Sequence, residues 1–564
     1  MSGLHTKSSA SSGADEKREF NVSGNEVGES STGYVDDLEL NAASLDGAAG
    51  GKQLHQGLKS RHVQLIAIGG TIGTGLFIGS GATLSKVGPA PLFMGYLILA
   101  SVIYNVMNQI GEMVCYLPAK GGAVSDLVRF YVDESLSFAT GWIYYYTFVI
   151  LVCTEITVTA IIIEYWTDKV PIAVWIIIFI ALLVTLNFLA VKFYGETEFW
   201  FALMKVLCII GLIILGVVIF FGGGPNQDGV LGFHYWKDPG SFVVHLAHGS
   251  TGRFLDVWTA IIKSGFAFIV GPELVAVTAG ETQNPRRNIA KAARRFIWRL
   301  MFFYVFGSLV IGIIVPSNNQ SLLGGKDASA SPFVIGIQNV GIKGLNHVIN
   351  AAVLTSALSA GNSFFFASSR FLYNMAEDGD APKIFARTNK HGVPYVACGL
   401  TTALSFISFL NVSSASAKVF DWLSNLCTIS GFIGWIIIGF TYLRWRKALI
   451  YNGLMDRRPF KTPFQPYGVY YSVGFLIIVS ITNGYEVFFD FNAADFIAAY
   501  LTLPVFFALY FGHKLYTRNW KWAYPIEEID VISGVDDAEK ADVEDRITYK
   551  RPDTVWGRIV EAVL

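Results

Sequence analysis

Residues 68–79 read Ile68-Gly69-Gly70-Thr71-Ile72-Gly73-Thr74-Gly75-Leu76-Phe77-Ile78-Gly79, inside an apolar stretch long enough to cross a bilayer. Six of the residues from 69 to 81 are glycine. Each glycine costs a helix about 1 kcal/mol, so a cluster at mid-crossing needs a reason. Two are available. One is close helix packing of the small-xxx-small kind, for which Gly75 and Gly79 have the right spacing. The other is an unwound segment whose freed N–H and C=O groups line a binding site. The run is not a nucleotide loop, because it lacks a Gly-Lys-Ser/Thr ending and lies within an apolar span.

The same hydropathy recurs along the chain. Of 564 residues, 52% are hydrophobic and 15% charged, against roughly 25% charged in a soluble domain. The apolar segments number about twelve, near 62–84, 91–116, 138–165, 170–190, 198–221, 256–279, 298–316, 347–374, 394–411, 419–443, 469–488 and 495–515. The third and eighth are long enough to require tilt. The pattern predicts an all-α membrane protein with a transmembrane domain over 56–524. Residues 1–55, rich in Ser, Gly, Asp and Glu, read as a disordered cytoplasmic tail. Residues 525–564 read as an acidic cytoplasmic tail. No apolar run follows Met1, so no cleaved signal peptide is expected.

Lysines and arginines set the orientation. Arg286, Arg287, Lys291, Arg294 and Arg295 follow span six; Lys383, Arg387 and Lys390 follow span eight; Arg444, Arg446, Lys447, Arg457, Arg458 and Lys461 follow span ten. The alternate loops hold scattered cations such as Lys86, Lys169, Lys237, Lys326 and Lys418. The positive-inside rule then places both termini in the cytoplasm. On that topology Asn319-Gln320-Ser321 and Asn411-Val412-Ser413 are glycosylation acceptors outside, and Asn21-Val22-Ser23 is an acceptor that stays inside.

Span six carries a second interruption, Phe266-Ala267-Phe268-Ile269-Val270-Gly271-Pro272-Glu273, in which Gly-Pro is expected to break the helix. Spans one and six are equivalent positions if the first ten helices form two five-helix repeats, and interrupted spans at equivalent positions point to a transporter site. Such a site suits a zwitterion: a half-helix N-terminus attracts a carboxylate, and freed carbonyls accept from an ammonium.

Ionisable residues also fall within spans. A charge at mid-membrane costs at least about 2.5 kcal/mol, so Lys205 in span five either faces the interior or snorkels to the surface. Glu155, Glu273 and Lys263 are intramembrane as well. Glu273 follows the break and is placed either to cap the inner half-helix or to couple to protons. Glu112 falls near the cytoplasmic end of span two. Cys115, Cys153, Cys208, Cys398 and Cys427 sit in or beside apolar runs with no zinc-type spacing, so neither disulfides nor a metal site is expected. No His/Asp/Glu cluster suggests an enzyme, and neither a cofactor nor a nucleic-acid partner is indicated.

Several blocks resemble the fungal amino-acid permeases of the amino acid–polyamine–organocation superfamily. They are Gly70 to Phe77, Gly111-Glu112-Met113, Glu155-Ile156-Thr157, Ala279-Gly280-Glu281, Asn284-Pro285-Arg286, Ser359-Ala360-Gly361-Asn362-Ser363, Lys390-His391-Gly392-Val393-Pro394-Tyr395 and Ser430 to Trp435. The resemblance implies two inverted five-helix repeats (LeuT-like) plus two extra helices, and proton-coupled amino-acid uptake at the plasma membrane. It implies that Thr74 and Gly75 offer N–H groups to the substrate carboxylate, with Gly73 in the break, and that the carbonyls of Thr71 and Ile72 meet the ammonium. Phe266 or Phe268, flanking Ala267, would gate. The family's pattern puts one residue between the second aromatic and Gly-Thr-Glu. Here Ile269 and Val270 intervene, and Pro272 replaces threonine. The resemblance favours Lys205 as a cation beside the span-one break, completed by Ser356, Ser359 or Ser363, with Glu155 and Glu273 behind it as proton-coupling groups. It also implies a ubiquitin ligase acting on Lys7 and Lys17. The competing function is a membrane amino-acid sensor that uses the same pocket without net transport.

Overall fold

The computed structural model describes residues 73–118, 124–167, 169–188, 191–273, 285–322, 331–390, 392–414 and 416–548. Thr71, Ile72, Lys7, Lys17, Asn21 and the Ala279–Asn284 block lie outside them. Every regular element among the described residues is helical. In a hydrocarbon environment this follows from backbone chemistry, since only a helix satisfies each N–H and C=O within one segment.

The chain enters through a π-helical turn, Gly75–Gly79, that runs into α1 (Ser80–Val87). Then come α2 (Pro89–Tyr116), the short α3 (Val124–Tyr131), α4 (Glu134–Glu164), α5 (Ile172–Phe188), α6 (Val191–Phe220) and α7 (Gly249–Ser264). The second half holds α8 (Pro285–Arg299), a π-helical stretch Leu300–Phe306, α9 (Gly307–Ile314), α10 (Pro332–Asn339), α11 (Leu345–Glu377), α12 (Tyr395–Ser405), α13 (Leu410–Ser413) and α14 (Ser416–Tyr451). It closes with α15 (Tyr467–Ile481), α16 (Ala493–Tyr500), α17 (Thr502–Thr517) and α18 (Val535–Thr548).

Among the described residues, nine helices are long and apolar enough to cross a membrane, and ten if α16 and α17, bent by 45°, form one span. The sequence expectation of twelve is therefore met in part. Span four corresponds to the 17-residue α5, too short for that criterion, and span one is described only from Gly73. The long spans three and eight are α4 and α11, with 31 and 33 residues.

Long α4 and α11 pack along each other, and α14 lies against α4. At the cation-rich end the Glu112 carboxylate joins three parts of the chain. It accepts from the Tyr442 hydroxyl (2.6 Å), Arg458 (2.7 Å), and the Thr462 backbone N–H and hydroxyl (2.8 and 2.6 Å). Buried Lys514 pairs with Asp133 at 2.9 Å and donates to the Lys521 carbonyl at 2.6 Å. The acidic C-terminal segment folds back onto this same end. Val531 accepts from the Tyr116 hydroxyl at 2.8 Å, Ile529, Val531 and Val535 are buried, and Arg457 bonds Asp536 and Glu539.

One sequence expectation is corrected here. Asn411 is not a loop acceptor. Its side chain is buried in α13, donating to Thr157 Oγ1 at 2.9 Å and to the Ser408 carbonyl at 2.6 Å. Asn319 lies in the partly exposed turn after α9.

Candidate functional site

The helix that begins at Thr74 leaves its first N–H groups without intrahelical partners, as any helix start does. Thr74 is buried, and a Cβ on Gly73 before it would meet nothing within 4 Å among the described residues. The π-helical turn that follows is a geometry found mostly at functional positions. A Cβ on Gly75 would fall 2.7 Å from Ala267 Cα and 3.0 Å from Ala267 Cβ. The interrupted parts of spans one and six thus touch backbone to backbone, and Gly75 is the residue that permits it.

In span six, α7 ends at Ser264 and tightens into a 3₁₀ turn, Gly265–Phe268. The break follows at Ile269 (φ −58°, ψ 140°) and Val270 (φ 66°). Helical geometry resumes at Gly271. The expected Gly-Pro break is therefore displaced toward the N-terminus. Pro272 sits in the first turn of the inner half-helix, where its missing N–H is no loss. The interruption itself is carried by Val270, a β-branched residue in the left-handed region, at a cost of about 1–3 kcal/mol. Span ten holds this bend in place: a Cβ on Gly431 would lie 2.2 Å from Ile269 Cδ1, so only glycine leaves room for the Ile269 side chain.

The two phenylalanines go to different walls. Phe268 packs between Tyr96 and Tyr304, at ring-centroid distances of 5.7 and 4.5 Å. Phe266 meets Phe420 of α14 edge-on at 5.6 Å. Phe268 is thus built in between α2 and the π-helical stretch Leu300–Phe306, whereas Phe266 spans from the break to the first turns of α14.

The intramembrane acids lie on either side of these breaks. Glu155 Oε1 accepts from the Thr74 hydroxyl at 3.0 Å, which links span three to span one. Its Oε2 has no hydrogen-bond partner among the described residues. Glu273 Oε1 accepts from the Tyr144 hydroxyl at 3.2 Å. Lys205 is 2% exposed, so its ammonium is turned into the bundle, within electrostatic reach of Glu155. Spans three and one are joined by the Glu155–Thr74 bond, and Lys205 of span five lies within electrostatic reach of that pair. Ser356, Ser359 and Ser363 all lie on α11. Ser356 and Ser359 are buried, and Gly361 between them and Ser363 approaches Glu155, its Cβ position 3.4 Å from Glu155 Cβ.

A charged cluster at the end opposite the basic loops escaped sequence reading. His245 Nδ1 lies 2.7 Å from Asp256 Oδ1, and Nε2 lies 3.4 Å from Glu486 Oε1. Glu486 also pairs with Lys86, at the end of α1, and accepts from Thr259 at 2.9 Å. Lys263 faces the same cavity of about 320 Å³ and stands 3.9 Å from Asp421. Burial disfavours a charged His245, but the bonds to Glu486 and Asp256 outweigh it and raise its pKa above the ordinary 6.5. These groups join α1, α7 and the segment after α15. His245 and Asp256 are 11 residues apart, but Lys86 and Glu486 come from distant parts of the chain, so no local motif announces the cluster.

Residues 62–525 match the model of a family described as amino acid permease. A relative from Saccharomyces cerevisiae named proline-specific permease is 54% identical over 562 residues, covering 97% of this chain and 90% of that protein. A proline-specific permease of Emericella nidulans is 52% identical over 492 residues, 86% of this chain and 89% of that protein. The lysine-specific permease of Saccharomyces cerevisiae is 36% identical over 516 residues, 91% of this chain and 83% of that protein.

Proposed function

The chain belongs to the amino acid permease family, and from that premise we propose that it carries proline into the cell across the plasma membrane, by proton-coupled alternating access. The supporting observation is the meeting of the two interrupted spans. Gly75 against Ala267 brings a helix start and a helix end to one point beside Gly73, whose Cβ position is clear of every described residue within 4 Å. A helix start suits a carboxylate and a helix end an ammonium. We assign the carboxylate to the N–H groups of Thr74 and Gly75, and the ammonium to carbonyls of Thr71, Ile72 and the Phe266–Ile269 bend. Proline offers a secondary ammonium with two N–H groups and a compact apolar ring, which suits a wall made of Phe266, Ala267 and Ile269. Identity to the proline-specific relatives, well above that to the lysine-specific one, supports the same choice.

The architecture in this reading is twelve spans, the first ten as two inverted repeats, with a transporter domain over 56–524, cytoplasmic tails over 1–55 and 525–564, and a ubiquitin ligase acting on the first tail. Phe266 is the gate, because it bridges the break and Phe420 in the first turns of α14. Lys205 is the coupling residue. Protonated, it balances Glu155, whose Oε1 is held by Thr74 at the head of the half-helix. Losing that proton frees span one from spans three and five and allows the inward transition.

The test is radiolabelled proline uptake into cells that lack their own proline carriers, competed by each of the twenty amino acids. Proline and close imino-acid analogues are expected to compete, and lysine and arginine are not. Equal competition by lysine would refute the substrate assignment. Saturable binding without accumulation would refute transport and leave a sensor.

A further inference from the structure

At the cation-rich end of the bundle, outside the transport site, a cavity of about 530 Å³ opens beside α8. Its wall carries Arg286, Arg287, Lys291, Arg294 and Arg295, and among the described residues one acid, Asp542 of α18, reaches it. Arg286 is only 7% exposed, and its Nη2 donates to the Tyr116 carbonyl at 2.9 Å. Its Nε is buried, with no hydrogen-bond partner among the described residues. Cations gathered around one cavity repel one another, and an anion bound among them relieves that repulsion.

The position of the cavity indicates where that anion comes from. Residues four apart on a helix lie on one face. Arg287, Lys291 and Arg295 form such a line, and Trp298, Phe302 and Phe306, all exposed and Trp298 74% so, continue it toward the apolar zone. Cations followed by tryptophan and then phenylalanine are the order met on passing from headgroups into hydrocarbon. The cavity therefore opens at headgroup depth onto the lipid-facing side of the helix.

We propose that this cavity binds the phosphorylated headgroup of an anionic lipid from the adjacent leaflet, and that acidic α18 is the internal competitor the headgroup displaces. Asp536, Glu539 and Asp542 recur at three-residue steps along α18. Arg457 grips the first two, with Nε to Glu539 at 3.0 Å and Nη2 to Asp536 at 2.5 Å, and the third lines the cavity. The carboxylate stands where a phosphate oxygen would bind.

Native mass spectrometry of the full-length protein in detergent, titrated with short-chain phosphatidylinositol phosphate, tests this. Each lysine or arginine near an anionic headgroup contributes about 1 kcal/mol, so the double variant Arg287→Gln/Lys291→Gln should bind about thirtyfold more weakly. Asp542→Asn, which removes no cation, should bind about fivefold more tightly by the same scale. Lys447→Gln, an exposed cation elsewhere on this end, should leave binding unchanged. Parallel titrations with phosphatidylcholine, inositol trisphosphate and inorganic phosphate identify the source. Unchanged affinity in both the double variant and Asp542→Asn, or equal weakening by Lys447→Gln, would overturn the site. Inositol trisphosphate binding as tightly as the lipid would overturn its assignment to a lipid.

Discussion

Adding one methyl group at Gly75 isolates the contact on which the transport site depends. The new Cβ would lie 2.7 Å from Ala267 Cα, 3.0 Å from its Cβ and 3.1 Å from its N. Carbon atoms pack at about 3.5–4.0 Å, so the backbones at the two breaks must separate by about 1 Å. No side-chain rotation relieves this, because two of the three atoms belong to the backbone. Overpacking of this kind costs about 1–3 kcal/mol, which depletes the assembled site by about 5- to 150-fold. Gly73→Ala serves as the contrast, since its Cβ meets nothing within 4 Å among the described residues. The assay is the initial rate of radiolabelled proline uptake, normalised to surface abundance measured by biotinylation. Gly75→Ala should reach the surface and lose uptake by a factor in that range, with a smaller loss for Gly73→Ala. Normal uptake by Gly75→Ala would show that the two breaks need not touch for transport.

Three further outcomes are expected. Lys205→Ala should reach the surface and exchange internal for external substrate but fail to accumulate it, and Lys205→Arg should fail likewise because arginine keeps its proton; pH-dependent uptake and exchange assays decide, and normal accumulation by Lys205→Ala would shift coupling to Glu155 or Glu273. His245 has its pKa raised by Glu486 and Asp256, so the stability it contributes is complete below about 6.5 and is lost as pH rises through the raised value. Thermal melts of the purified protein should show stability falling over that interval, and His245→Gln should flatten the dependence; an unchanged profile would refute the role. A glycosylation scan should find a glycan at Asn319 and none at Asn411 or Asn21; a glycan at Asn21 would reverse the orientation, and one at Asn411 would contradict its burial in α13.

The membrane character was legible because the bilayer imposes a length and a polarity that appear directly in hydropathy, segment by segment. Lys205, Glu155 and Glu273 stood out for the same reason, since each is a charge in an apolar run. The break in span six was legible in place but not in cause. Gly271-Pro272 is the visible breaker, yet the chain turns at Val270, whose positive φ has no signature in a valine. The Asn411 triplet suggested a loop, yet its side chain is buried, because a triplet records neither depth nor burial. The cluster of Lys86, His245, Asp256 and Glu486 left no trace in the sequence at all. Its members come from α1, α7 and two connecting segments, and only tertiary packing brings them together. The acidity of residues 525–564 was plain, whereas their docking through Arg457 depends on a loop some eighty residues earlier.

Purified protein reconstituted into liposomes, given an inward proton gradient and external radiolabelled proline, addresses the central claim most directly. Proline should accumulate above its external concentration, the excess should collapse on adding a protonophore, and Lys205→Ala liposomes should equilibrate proline without the excess. Equilibration at the same level with and without the gradient, or binding with no entry into the lumen, would contradict proton-coupled carriage through this site.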